Sequence, residues 1–256
     1  MRSKFMNSIL CDLGVFQKVN AWFLEMDEFS LASWNVRKCV GLDRKRDPLR
    51  IVNGLNGLGA DVVVLQEADR RLGRRPAALP QWMIEAETDY SPLAVGRSEI
   101  SLGWHGNAVL LGPEARCLDV AVLDLPGIEP RGAVIADIQR GRDVLRIVAV
   151  HLGLMTRSRT QQYHAIRDRL EAMDELPTVI LGDFNEWGSG RGFPGLPGFN
   201  VHAPGATFHA SRPVAALDRI ALSRQVTLED AAVVETPLTK VASDHLPITA
   251  RVKVAA

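Results

Sequence analysis

Cysteine is scarce in this chain. Cys11, Cys39 and Cys117 are the only three in 256 residues. So few thiols exclude a disulfide framework and make reduced, cytosolic thiols the default. Cysteine and histidine nowhere cluster at the spacing of a structural zinc site. Aromatics are 6% of the chain, so no stacking platform for single-stranded nucleic acid stands out. Neither sign of charge is in excess: 30 Lys and Arg balance 30 Asp and Glu, and the pI is near 7.0. The basic footprint of a general nucleic-acid binder is therefore absent at the whole-chain level. No apolar run is long enough to span a bilayer. The opening MRSKFMNSILCDLGVF is interrupted by Asn7, Ser8 and Asp12 and makes a poor signal peptide. There is no G-x-G-x-x-G after a strand and no P-loop, hence no nucleotide-cofactor motif. A cytoplasmic protein without an organic cofactor is the expectation.

What is present suits one large α/β domain: 46% hydrophobic and 23% charged residues. Residues 1–28 show no clear relation to the rest and read as an N-terminal extension; 29–256 read as a single domain. FSLASWNV predicts a strand. DPLRIVNGLNGLG predicts a helix with Asp47 as N-cap and Pro48 at its first position. ADVVVLQE is a nearly continuous apolar strand, as expected for burial on both faces. GNAVLLG, ARCLDVAVLDL, GAVIADIQ and DVLRIVAVHL predict further strands, with a turn at 141–143. RSRTQQYHAIRDRLEAMDEL predicts a helix with Ile166, Leu170 and Met173 on one face. PTVILGD follows as a strand, then a Gly/Pro-rich loop over 188–205, and ALDRIAL, AAVVE and HLPITARVKV end the chain as strands. Strand–helix units mixed with hairpin-like runs suggest two sheets covered by helices.

Polar chemistry recurs where apolar strands stop. Asn35 ends one, Glu67 the next, His151 another. Asp183 and Asn185 close TVILGDFN, two residues apart and, in an extended chain, on one side. Asp218 lies in ALD, and Asp244 and His245 in SDH. Each alone has an ordinary explanation, such as a turn cap or a satisfied core histidine. Together, one amide, several carboxylates and two histidines at strand ends suggest a metal-assisted hydrolytic site. Arg70, Arg71, Arg74 and Arg75 form a basic cluster that reads first as a solvated face, with a local basic groove as the alternative.

SWNVRK (33–38), VVLQE (63–67), HGNAVLL (105–111), AVHL (149–152), GDFNEW (182–187), LDRI (217–220) and SDHLP (243–247) occur in this order. In that order they resemble the endonuclease/exonuclease/phosphatase superfamily, over about residues 29–253. The resemblance implies a four-layer α/β sandwich, two mixed β-sheets face to face with helices on both outer faces. It implies a divalent cation, Mg²⁺ or alternatively Mn²⁺, with Glu67 as principal ligand, Asn35 ligating or bonding to substrate, and Asp244 reaching the metal region. His245 resembles the family's general base, or the imidazole that orients the attacking water. Asp218 or Asp244 holds a histidine in its tautomer. Asp183 positions the water, Asn185 donates to a phosphoryl oxygen, and His151 binds phosphate or protonates the leaving oxygen. Asn107, Arg37 and Arg159 complete the set as substrate contacts. The expected reaction is hydrolysis of a phosphodiester, with a lipid headgroup or small molecule favoured. The alternatives are a nuclease acting on DNA or RNA, or a binding protein without catalysis. Trp104 and Trp187 flank motif residues and read first as core packing.

Overall fold

The protein is described here by a computed structural model covering residues 28–188 and 196–255. The N-terminal extension, apart from Glu28, and residues 189–195 of the Gly/Pro-rich loop lie outside the described residues. Twelve strands form two mixed six-stranded sheets. The first has the order β11-β12-β1-β2-β4-β3 and the second β5-β6-β7-β8-β10-β9. In the first sheet, β1 (Glu28–Asn35) runs parallel to β2 (Val62–Gln66) and antiparallel to β12 (Ile248–Val254). β4 (Ala108–Leu111) and β3 (Ser91–Pro92) extend it on one side, and β11 (Val226–Val233) on the other. In the second, β7 (Asp143–His151) runs parallel to β8 (Thr178–Asp183). β5 (Ala115–Leu125), β6 (Arg131–Arg140), β9 (Phe199–His202) and β10 (Asp218–Ser223) complete it with antiparallel pairings.

Alternation along the strands sorts the apolar residues into three cores. Phe29, Val64, Val134, Ile147 and Leu181 fill the space between the sheets. Trp34, Ile51, Leu55 and Ile84 pack α1 (Pro48–Asn56) and α2 (Gln81–Glu87) on the outer face of the first sheet. Ile135, Val148, Tyr163 and Ile166 pack α3 (Thr156–Glu171) on the outer face of the second. The result is the expected four-layer sandwich. A short helix, α4 (Thr239–Ala242), precedes the last strand.

Local signals hold where the side chain itself sets the geometry. Asp47 caps α1 by accepting from the Arg50 amide, with Pro48 at the first position. Gly54 has a packing cause: a Cβ there would lie 2.6 Å from the ring of Trp34. Three elements depart from expectation. α3 stops at Glu171, five residues short, because the chain leaves the helix in a turn at Ala172 and a bend at Met173. β11 starts at Val226 because its polar Thr227, Glu229 and Asp230 point outward from an edge strand. β9 lies inside the stretch read as loop, paired to β10.

Candidate active site

The two central parallel pairs, β1–β2 and β7–β8, end at the same side of the sandwich. The side chains at their ends converge. Asn35 at the end of β1 donates from Nδ2 to Asp183 Oδ2 at 2.9 Å, bridging the two sheets. His151 Nε2 lies 3.4 Å from the same oxygen. His245 Nε2 is 3.8 Å from it, while His245 Nδ1 lies 2.8 Å from Asp218 Oδ2. Asp218 Oδ2 also accepts from Thr207 Oγ1 at 2.6 Å. Asp218 therefore accepts the Nδ1–H of His245 and points Nε2 at Asp183. Trp34 Nε1 donates to the His245 carbonyl at 2.9 Å and Ser243 Oγ to the Asn35 carbonyl at 2.6 Å, so core and cap hold the SDH segment in register.

All of these groups are buried. Burial pushes the Asp183 carboxyl up to about 6, against the opposing pull of His245. Burial also opposes charge on His245, but the carboxylates of Asp218, Asp183 and Asp244 outweigh it and hold the imidazolium up to about 10. His151 goes the other way: burial, then the positive charge of Arg131, keeps it well below the usual histidine range. The site thus contains a neutral His151, a protonated His245 and a carboxylate poised near neutrality.

The structure settles several sequence expectations in detail. Asp244 does not hold the histidine; its Oδ2 lies 3.2 Å from Arg37 Nε, and Asp218 has the orienting position. Asp183 and Asn185 do converge, but not as alternate residues of an extended strand. β8 ends at Asp183, Asn185 is left-handed (φ 50°), and its amide donates to Asp183 Oδ1 at 2.9 Å. Asn tolerates that conformation and Asp makes such turns. Asn185 Nδ2 donates to the Leu152 carbonyl. Gly182 is required because a Cβ would lie 1.9 Å from the Val150 carbonyl oxygen.

Two expected substrate contacts are buried and bonded within the protein. Arg159 is buried, donating to the Gly153 and Leu154 carbonyls, Thr156 Oγ1 and Glu186 Oε2. Asn107 is buried beneath the site, with Nδ2 donating to the Gly132 and Trp104 carbonyls. Both hold loops, and neither lines the cavity beside Glu67. Arg159→Ala should therefore cost stability rather than substrate affinity. Breaking this partly buried pair is expected to cost about 3 kcal/mol, lowering Tm by roughly 6–12 °C. A thermal melt of the variant beside its KM checks this; a raised KM with unchanged Tm would contradict it.

Glu67 follows β2 in a left-handed conformation (φ 55°) and is paired with Lys38 Nζ. Asn35 Oδ1 accepts from the Arg37 amide at 3.1 Å. These are hard oxygen donors on neighbouring parallel strands. Among the described residues no three His, Cys, Asp or Glu form a metal-binding group. A set of one carboxylate and one amide fits a cation that keeps most of its waters, which is the habit of Mg²⁺ rather than of zinc or calcium.

A cavity of about 210 Å³ opens beside Glu67 and His151, lined also by Lys38, Arg71, Arg75 and Arg131. Of the arginine run read as a solvated face, Arg70, Arg71 and Arg74 are exposed and Arg75 is half-buried, and Arg71 and Arg75 line the cavity. Arg131 was invisible in the sequence, where it only opens an apolar strand. Around the mouth, successive loops carry exposed apolar tips. Leu72 is 86% and Ile128 83% exposed, and Leu154, Met155, Trp187 and Val214 are each more than half exposed. The loops are contiguous. Leu72 and Glu129 share the cavity, Leu154 bonds to Glu129, Arg159 links Leu154 to Glu186, and Trp187 packs on Phe208, whose carbonyl accepts from Val214. Trp187 is a rim residue, not core; Trp104 is half-buried against His105.

The sandwich thus gathers two amides, two histidines and buried carboxylates where its paired strands end. The profile of the Endonuclease/Exonuclease/phosphatase family matches residues 32–245, and the chain belongs to that family. It is 29% identical over 232 residues to the uncharacterized protein YbhP of Escherichia coli (strain K12), covering 82% of this chain and 88% of that one. The fold is shared with the Bacteroides thetaiotaomicron VPI-5482 mannosyl-6-phosphatase Bt3783. There the TM-score is 0.69 at 15% identity, over 88% of this chain and 99% of that one. D. rerio TDP2 complexed with single strand DNA product superposes with a TM-score of 0.68 at 19% identity, over 89% and 99% of the two chains. Members of the family are hydrolases, phosphatases and nucleases among them.

Proposed function

We propose that this protein is a Mg²⁺-dependent phosphodiesterase acting on a lipid headgroup or a similar small diester. The convergence of Asn35, His151, Asp218 and His245 on Asp183 carries the reaction type. Asp183, raised by burial, takes the proton of the attacking water. His245 keeps its own proton through Asp218 and directs Nε2 at a phosphoryl oxygen as charge builds there. Neutral His151 and the second Nδ2 proton of Asn185 orient the phosphoryl group. Glu67 and Asn35 would hold the cation, which supplies charge neutralisation at the phosphoryl and leaving oxygens. Positioning and electrostatics do the rest, as in other water-attack phosphoryl transfers.

The rim favours lipid. Six large apolar tips around one mouth, beside exposed Arg70 and Arg74, suit an anionic bilayer surface. The basic cavity favours a second reading, a nuclease with a local groove. Chelation by EDTA should abolish hydrolysis and Mg²⁺ or Mn²⁺ should restore it, with Glu67→Gln weakening metal binding and rate together. The measurement is turnover of bis-p-nitrophenyl phosphate, anionic vesicle lipid, plasmid DNA and an abasic oligonucleotide, with and without metal. Full activity in exhaustively chelated protein would overturn the metal dependence. Plasmid nicking more efficient than vesicle hydrolysis at physiological salt would favour the nuclease.

A further inference from the structure

The turn after β1 runs against its own backbone preference. Arg37, Lys38 and Cys39 are successive left-handed residues, with φ of 47°, 56° and 59°. That conformation is unfavourable for a residue with a Cβ and open to glycine. Backbone bonds hold the turn. The Lys38 amide donates to the Glu67 carbonyl at 3.0 Å, the Cys39 amide to the Val36 carbonyl at 2.7 Å, and the Asp47 amide to the Cys39 carbonyl at 2.8 Å. Glycine would make the same three bonds with less strain. Cys39 has a core reason to be there, buried in the cluster of Trp34 and Ile51. Arg37 and Lys38 have a different one: their side chains reach two carboxylates of the site, Asp244 and Glu67. Backbone strain kept beside a site, where glycine would relieve it, points to side chains that are needed there.

Lys38 meets the more consequential carboxylate. Its Nζ donates to Glu67 Oε2. Among the described residues Glu67 makes no other side-chain hydrogen bond or ion pair. Amide and ammonium of Lys38 thus both bind the same residue, one at its carbonyl and one at its carboxylate. Both side chains line the cavity beside His151. At exposures of 26% and 19% the pair is only partly screened by water. Glu67 can serve a divalent cation only by giving up this ammonium, and the two positive charges then repel each other at close range.

We propose that Lys38 competes with the divalent cation for the Glu67 carboxylate and thereby sets the metal affinity of the protein low. This rests on the reading of Glu67 as the cation's ligand, and it adds the residue that regulates that ligand.

The test is Mn²⁺ binding to the full chain without substrate, read from the paramagnetic resonance signal of the free ion. Lys38→Met, which keeps the length and loses the charge, should bind Mn²⁺ about tenfold more tightly than the wild type. Lys38→Gly, which suits the left-handed backbone, should show the same gain, and decides alone should the methionine variant fail to fold. In a Glu67→Gln background Lys38→Met should bring no gain, because the contested carboxylate is gone. Unchanged or weaker binding in the folded Lys38 variants, beside measurable binding in the wild type, overturns the competition and leaves the metal reading standing. A gain that persists in Glu67→Gln also overturns it, because Lys38 then acts through the general field rather than through Glu67. If neither the wild type nor the Lys38 variants bind Mn²⁺, the metal reading itself fails and the competition falls with it.

Discussion

Asp183→Asn lowers kcat by about 10³–10⁴-fold, the upper part of the range for a positioned acid or base, while the folded protein, its Tm lowered by the loss of one buried hydrogen bond, persists at the assay temperature. Asparagine keeps the size of the side chain. Its single oxygen can still accept from Asn35 Nδ2 or from the Asn185 amide, but not from both, because its Nδ2 only donates. What it loses is the capacity to take a proton. The sign of the pH dependence follows from burial. The Asp183 carboxyl is raised to about 6, so its ionised, proton-accepting form is lost as pH falls through about 6. kcat should decline on that acid side in the wild type, and the residual rate of Asp183→Asn should lack this limb. Steady-state kinetics from pH 5 to 9 measure both. A variant within tenfold of wild type, or one retaining the limb, would remove Asp183 from the reaction.

His245→Ala is the second large effect, a loss of about 10²–10⁴-fold in kcat. His164→Ala serves as the comparison, because His164 is an exposed residue in the middle of α3. The reason for the difference is the link from Asp218 through His245 toward Asp183. Removing the imidazole deletes the donor aimed at the phosphoryl oxygen. It also leaves Asp218 with Thr207 as its remaining side-chain partner. His245→Gln, which keeps a donor but no fixed charge, should recover part of the rate. Similar small losses at positions 245 and 164 would contradict the assignment.

Residues whose own chemistry sets their surroundings could be read in the sequence. Asp47 and Pro48 began a helix, and ARCLDVAVLDL spanned all of β5. The ordered motifs pointed to Asn35, Glu67, His151, Asp183, Asp218 and His245, which lie at neighbouring strand ends. What escaped depends on tertiary placement. α2 and β3 are short and have weak periodicity, and β9 gains its identity from pairing with β10. Arg159 is like any helix-start arginine until Glu186 folds against it. Nothing in RGAVIADIQ indicates that its first residue is buried beside a cavity while its neighbours form a core strand. The choice between Asp218 and Asp244 needed distances, because both precede or face His245 along the chain.

The two sheets divide the proposed catalytic inventory between them. Asn35, Glu67 and His245 come from the ends of the first, and His151, Asp183 and Asp218 from the second. Two hydrogen bonds among these residues cross the seam, Asn35 to Asp183 and His245 to Asp218. Neither layer is a smaller enzyme. A fragment carrying one sheet would own half of a lock whose other half is on the missing piece. The proposed catalysis is a property of the seam, and it comes into being only when both halves have closed on each other.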